Sequence, residues 1–133
     1  MGTIPQILNG EDPVIAVVGA SDHLHKYGAK IYRDLKSKGY RVYPVSLVNE
    51  TVDGDPAYKD LGDLPVKPDI VNIVVPPPRT RRIVARCVEL GIRHIWIQPG
   101  AGDGEIYEYL DEHDVHYLAN ACIMVQSRYR VGT

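Results

Sequence analysis

Residues Val14–Ser21 read Val-Ile-Ala-Val-Val-Gly-Ala-Ser, an unbroken apolar run that ends in a glycine turn. A strand with one wet face alternates apolar and polar residues. A strand with no wet face does not, and it belongs inside a parallel sheet covered on both sides. A helical pattern follows the turn, so backbone N–H groups gather at a helix start, where anions bind. The stretch reads as the first strand and phosphate loop of a nucleotide-binding α/β domain.

The remaining elements fall into place around it. Gly28–Lys38 puts Ala29, Ile31, Tyr32 and Leu35 on one helical face, with Gly39 at the C-cap. Tyr40–Ser46 is a second strand, and Pro44 argues that its regular ladder ends there. Within the long link 47–69, Asp53-Gly54-Asp55-Pro56 has turn chemistry and Ala57–Leu61 reads as one helical turn. Ile70–Val75 is a third strand, ended by Pro76-Pro77-Pro78. A helix over Arg79–Leu90 buries Ile83, Val84, Cys87 and Val88. His94–Gln98 is the fourth strand, Glu105–His113 a helix and Val115–Leu118 the fifth strand. Ile4, Ile7 and Leu8 suggest a short helix in an N-terminal arm, 1–13, and residues 126–133 read as a tail.

Strands alternating with helices imply a three-layer α/β architecture: a Rossmann-like, doubly wound parallel sheet of about five strands, with right-handed crossovers. The expected order is 3-2-1-4-5, with ligand at the carboxyl ends of strands one and four. The 133 residues suit a single domain. The net charge of -2 gives no reason to expect a nucleic-acid partner. No apolar run reaches the ~18 residues of a membrane helix. Met1–Pro5 lacks the basic and apolar regions of a signal peptide, so a cytoplasmic protein is expected. Cys87 and Cys122 have no metal or redox spacing.

The first turn, Gly19-Ala20-Ser21-Asp22-His23-Leu24-His25-Lys26-Tyr27-Gly28, is not GxGxxG. NAD also asks for an acid near the end of strand two, where Ser46 and Leu47 stand and Glu50 comes too late. NAD is disfavoured, and the Walker A pattern is absent. Arg79-Thr80-Arg81-Arg82 places cations in the first turn of a helix, where the macrodipole disfavours each by about 0.3–1 kcal/mol. An anionic ligand would offset that cost. The plain alternative is that these side chains point to solvent.

The chain resembles the stand-alone CoA-binding proteins, a family similar to the N-terminal domain of the succinyl-CoA synthetase α subunit. The resemblance runs from about Val14 to Val125 and rests on ordered pieces. These are Val17–Ser21, Gly39–Val45, Asp53-Gly54, Asp69–Pro77, Ile95–Gly100 and Asn120-Ala121-Cys122. It implies coenzyme A as the cofactor. Gly19, Ala20 and Ser21 would hold its pyrophosphate, and Lys26, Tyr27 and Gly28 would close the loop. Val45 and Ser46 would lie near the adenosine. Val74, Val75, Pro76 and Pro77 would wall the adenine, with Arg79 or Arg82 reaching a phosphate. Gln98, Pro99 and Gly100 would line the pantetheine path, with Asn120 and Cys122 at its thiol end. The family often carries a polar triplet where this chain has Ser46-Leu47-Val48, and often Arg where it has Ala121.

Each position also has a structural reading. Gly19 serves a tight turn, Ser21 caps a helix, Lys26 is solvated and the prolines end a strand. Gln98 is then a polar strand end, Asn120 a turn residue and Cys122 a small buried side chain. His23 and His25 make a weak metal signal and are expected at the surface. The implied function is a carrier, sensor or regulatory module for CoA or acyl-CoA, with no clear catalytic apparatus, so ligase activity is not carried over. The rival is a small nucleotide- or NAD-dependent enzyme using Cys122, His23 or His25. A third reading is a subunit that recruits a protein partner.

Overall fold

The computed structural model describes residues 2–130. Its elements run α1 (Ile4–Leu8), β1 (Val14–Val18), α2 (Tyr27–Ser37), β2 (Arg41–Val45), β3 (Thr51–Val52) and β4 (Asp55–Pro56). A 3-10 turn at Leu61–Asp63 follows, then β5 (Ile70–Ile73), α3 (Pro77–Glu89) and β6 (His94–Ile97). The chain finishes with α4 (Gly104–Glu112), β7 (His116–Ala119) and α5 (Ile123–Gln126).

The main sheet is five-stranded and all parallel, in the order β2-β1-β5-β6-β7. Every residue of β1 is buried, as its unbroken apolar pattern requires. One face of the sheet presents Ala16, Val18, Val71, Ile73, Ile95 and Ile97 to a core completed by Val84 and Cys87 of α3 and Ile106 and Leu110 of α4. The other presents Ile15, Val17, Ile70 and Trp96 to α1, α2 and α5. This is the expected doubly wound architecture, with the third long strand placed differently. Among the five long strands the order is 2-1-3-4-5, because Ile70–Ile73 pairs directly with β1 rather than beyond β2. The link 47–69 carries the chain back past β1, and its Leu61 packs on the face opposite α2. A right-handed crossover that reverses direction must change faces in this way. The switch point therefore falls between β1 and β5, not between strands one and four.

Pro44 does not end β2 but lies within it, opposite Val17. Val45 accepts from Gly19 N, so the neighbouring residue turns its backbone away from β1. There Pro44 needs no N–H, and its carbonyl accepts from Tyr58 N at 2.9 Å. Its place on the edge strand is what makes the proline tolerable. Ala57–Leu61 is not helical, and the 3-10 turn begins at Leu61. Asp53 and Gly54 have φ of 51° and 81°, the positive values a two-residue β3–β4 hairpin needs. The hairpin is held to α2 by Arg33 and Lys36 on Asp53, by Lys36 on Asp55 and by a hydrogen bond from the Tyr32 hydroxyl to Asp55. Lys36, and then Tyr32, hold the Asp55 carboxyl below its usual range.

α3 begins at Pro77, two residues earlier than the charge pattern suggests, because prolines fit the first turn of a helix. Val84 and Cys87 are buried as expected, whereas Ile83 and Val88 are half-buried. Residues 126–130 of the expected tail are not loose: Gln126 ends α5, and the chain after it is pinned through residue 130. The buried Lys38 ammonium bonds Met124 O and Ser127 Oγ and pairs with Asp34. Arg130 donates to Leu8 O and Gly10 O. Residues 131–133 of the expected tail lie outside the described residues.

Candidate functional site

The turn after β1 is fixed by contact with its neighbours. Gly19 has φ of +102°, and a Cβ there would lie 2.8 Å from Val75 and 3.0 Å from Val74. A Cβ on Gly28 would lie 1.8 Å from the Gly19 carbonyl oxygen. These glycines let the start of α2 pack directly on the turn, whatever the ligand. The result is a helix start at the mouth of the switch point. No side chain caps it, and the N-cap is the exposed Lys26. The first N–H groups of such a helix have no partner within it, so they and Lys26 together can receive an anion. Ala20 and Ser21 are buried beside this opening, and Ser21 Oγ accepts from His23 N at 3.0 Å. Tyr27 is exposed. His23 and His25 pack edge to face at 5.5 Å on the outer rim. No group of three or more potential metal ligands occurs among the described residues.

Across the switch point, Val74 N donates to Val18 O at 3.0 Å, and Val75 is buried. Pro76 is the N-cap of α3, with Pro77 half-buried behind it. This helix start differs from that of α2. Pro77 and Pro78 lack N–H groups, and the amides of Arg79 and Thr80 both donate to Pro76 O. Its available donors are side chains. Arg79 and Arg82 are exposed and have no ion-pair or hydrogen-bond partner among the described residues, whereas Arg81 is paired with Asp103 at 2.6 Å.

The loop after β2 forms the third wall. Val45 and Ser46 are buried. Ser46 N donates to Tyr58 O, and its Oγ accepts from the amides of Val48 and Asn49 at 3.3 and 3.1 Å. The Ser46 hydroxyl therefore stabilises a turn that presents Leu47 and Val48 to solvent. Asn49 Oδ1 accepts from Asp22 N, and Asp22 Oδ1 accepts from Asp53 N at 2.7 Å. The turn after β1, the β2 loop and the hairpin are thus one connected unit.

At the β6–β7 end, Gln98 is 2% exposed, and both ends of its amide are used. Oε1 accepts from Ile123 N at 2.9 Å, and Nε2 donates to Cys122 Sγ at 3.3 Å. Trp96 Nε1 donates to Ala121 O at 2.9 Å. Pro99, Gly100 and Asn120 are exposed, and Asn120 takes φ of 62° in its turn. Cys122 is half-buried at the N-cap of α5. Cys87 is different: burial pushes its thiol up to about 12, which leaves it unreactive at neutral pH. Sequence reasoning missed α5, since a four-residue helix gives no periodicity to read. It also missed the pairing of Gln98 with that helix.

A family model described as a CoA binding domain matches residues 13–128. The chain belongs to the CoA-binding domain family. It is 38% identical over 95 residues to the alpha subunit of an ADP-forming acetate–CoA ligase II from Pyrococcus furiosus. That match takes in 71% of this chain and 21% of the relative, so the chain spans about a fifth of that relative's length. A conserved hypothetical protein from the same organism superposes with a TM-score of 0.84 at 38% identity, over 86% of this chain and 99% of that one. A dinucleotide-forming acetyl-coenzyme A synthetase from Ca. Korarchaeum cryptofilum, solved with phosphate and ADP, gives 0.73 at 28% identity over 85% of this chain and 26% of that one. No helix among the described residues of this CoA-binding domain is long and apolar enough to cross a membrane.

Proposed function

We propose that the protein binds coenzyme A or an acyl-CoA across the carboxyl edge of its sheet and acts as a carrier, sensor or regulatory module without catalysis of its own. The observation that carries this reading is the start of α2, which has no side-chain cap, stacks on the Gly19 turn and sits beside Lys26. The pyrophosphate lies there, against the amides of the Gly19–Ser21 turn and of Tyr27 and Gly28. The adenosine rests between Val45–Ser46 and the wall of Val74, Val75, Pro76 and Pro77. The pantetheine arm runs past Gln98, Pro99 and Gly100 towards Asn120 and Cys122.

The buried turn and the lack of an acid at the end of β2 favour this ligand over NAD. The ligase relative suggests a setting in which a CoA-holding module serves chemistry done elsewhere, by another segment or a partner protein. Calorimetric titration of ligand-stripped protein tests the reading. CoA should bind with micromolar affinity, and NAD and ATP more weakly. NAD binding without a CoA response overturns it.

A further inference from the structure

We infer that Arg79 and Arg82 make the site selective for the 3′-phosphomonoester of the adenosine, so that CoA is distinguished from dephospho-CoA by α3 and not by the loop after β2. This rests on the coenzyme reading above and adds to it the group that recognises one phosphate. Coenzyme A carries two kinds of anion, a pyrophosphate and a ribose 3′-phosphate. The start of α2 suits the first. The second needs unpaired cations within the adenosine groove.

The cations near that groove differ in what they already hold. Arg33 and Lys36 are paired with Asp22, Asp53 and Asp55. Lys59 Nζ donates to Leu47 O. Arg81 is paired with Asp103 and Glu105. Arg79 and Arg82 have no such partner among the described residues. The β2 loop offers no cation in their place, since residues 46–50 read Ser-Leu-Val-Asn-Glu.

The direction in which the two arginines face follows from their helix. Positions 79, 82 and 86 share one face at helical spacing. Arg86 fixes where that face points, because it forms a two-nitrogen contact with Asp60 at 2.9–3.2 Å. Asp60 directly precedes Leu61, which packs with Val18, Val45 and Val75 in the same core. Arg79 and Arg82 therefore lie towards the β2 side of the switch point, about two turns and one turn before Arg86 respectively, while Arg81 faces α4. Arg79 lies in the first turn of α3, where it opposes the helix dipole, and Arg82 follows one turn on beside it; a dianionic phosphate relieves the first cost and the repulsion between the two cations.

Titrations of the full chain with CoA and with dephospho-CoA at low salt test this. The wild-type protein should bind CoA about tenfold or more tightly than dephospho-CoA, the scale of charge-assisted hydrogen bonds. Arg79→Gln with Arg82→Gln should remove most of that ratio by weakening CoA alone. Arg81→Gln should leave the ratio as it is. Equal wild-type affinity for the two ligands overturns the inference while leaving the coenzyme reading intact. So does an equal loss for both ligands in the double variant, which would put these arginines on the pyrophosphate. Failure of the wild type to bind either ligand overturns the coenzyme reading and the inference with it.

Discussion

At the β1–β5 side of the carboxyl edge, α2 starts without a side-chain cap, and Arg79 and Arg82 stand without partners among the described residues. At the β6–β7 side, Gln98 commits both ends of its amide to Cys122 and Ile123, and the Trp96 indole to Ala121. Both sides carry polar residues at the ends of parallel strands, where an open α/β sheet binds its ligands. The difference is in who satisfies them. A polar group answered from within holds the fold in place. A group left open offers a ligand something it does not have to displace. On the reading proposed above, phosphate recognition belongs to the first side, and the second side is a fixed wall along which an extended arm would lie.

The comparison can be broken first at its tightest contact. Gly28→Ala sets a methyl against the Gly19 carbonyl at 1.8 Å, and backbone has nowhere to move. Urea unfolding should register a loss of about 3 kcal/mol or more, the upper end of overpacking costs. A loss under about 1 kcal/mol would mean that α2 does not rest on the turn as described.

Gln98→Ala should cost about 2–3 kcal/mol, since it strands the Ile123 amide and removes the Cys122 contact. The same variant should speed alkylation of Cys122 as α5 loosens. Unchanged stability would remove the distinction between the two sides. Asn72 tests the rule from the opposite direction. It is fully buried in β5 between Val17 and Trp96, and neither polar atom of its amide has a partner among the described residues. Asn72→Leu should therefore stabilise the fold, by about 1 kcal/mol, in thermal or urea unfolding. Destabilisation would mean that the amide is answered by a group such as a buried water.

The smallest effect lies at the far end of the sheet. His94 and His116 stack at 5.5 Å on neighbouring strands. Burial, and then the charge of His116, lower the His94 pKa. The unfolded chain then binds a proton more readily than the native one just below the ordinary histidine value of about 6.5. Stability should fall as pH drops through that window and recover above it. His94→Gln should flatten that part of the profile, as read by unfolding at a series of pH values, while leaving CoA affinity alone.

Much of the architecture was legible because its causes are local. The run Val14–Val18 could only be a covered strand, and Gly39, Gly91 and the Pro76–Pro78 run mark real boundaries. The placement of Ile70–Ile73 beside β1 was not legible, because nothing in a strand's own residues names its neighbour. Pro44 misled for the same reason: an edge position excuses the missing N–H, and edges are a property of the whole sheet. In the site, the glycines were readable as a turn, but their cause in the packing of Gly28 on Gly19 was not. Arg81 and Arg82 look alike in the sequence. They separate only when α4 brings Asp103 to one of them.

The most direct test of the account is to follow backbone amide shifts by NMR while coenzyme A is added to the ligand-stripped protein. The account predicts that the largest changes fall on Ala20, Ser21, Tyr27, Gly28 and the first turn of α3, with the Ile123 amide, held by Gln98, moving little. Changes centred on the His94–His116 end of the sheet, with the start of α2 unmoved, would contradict it.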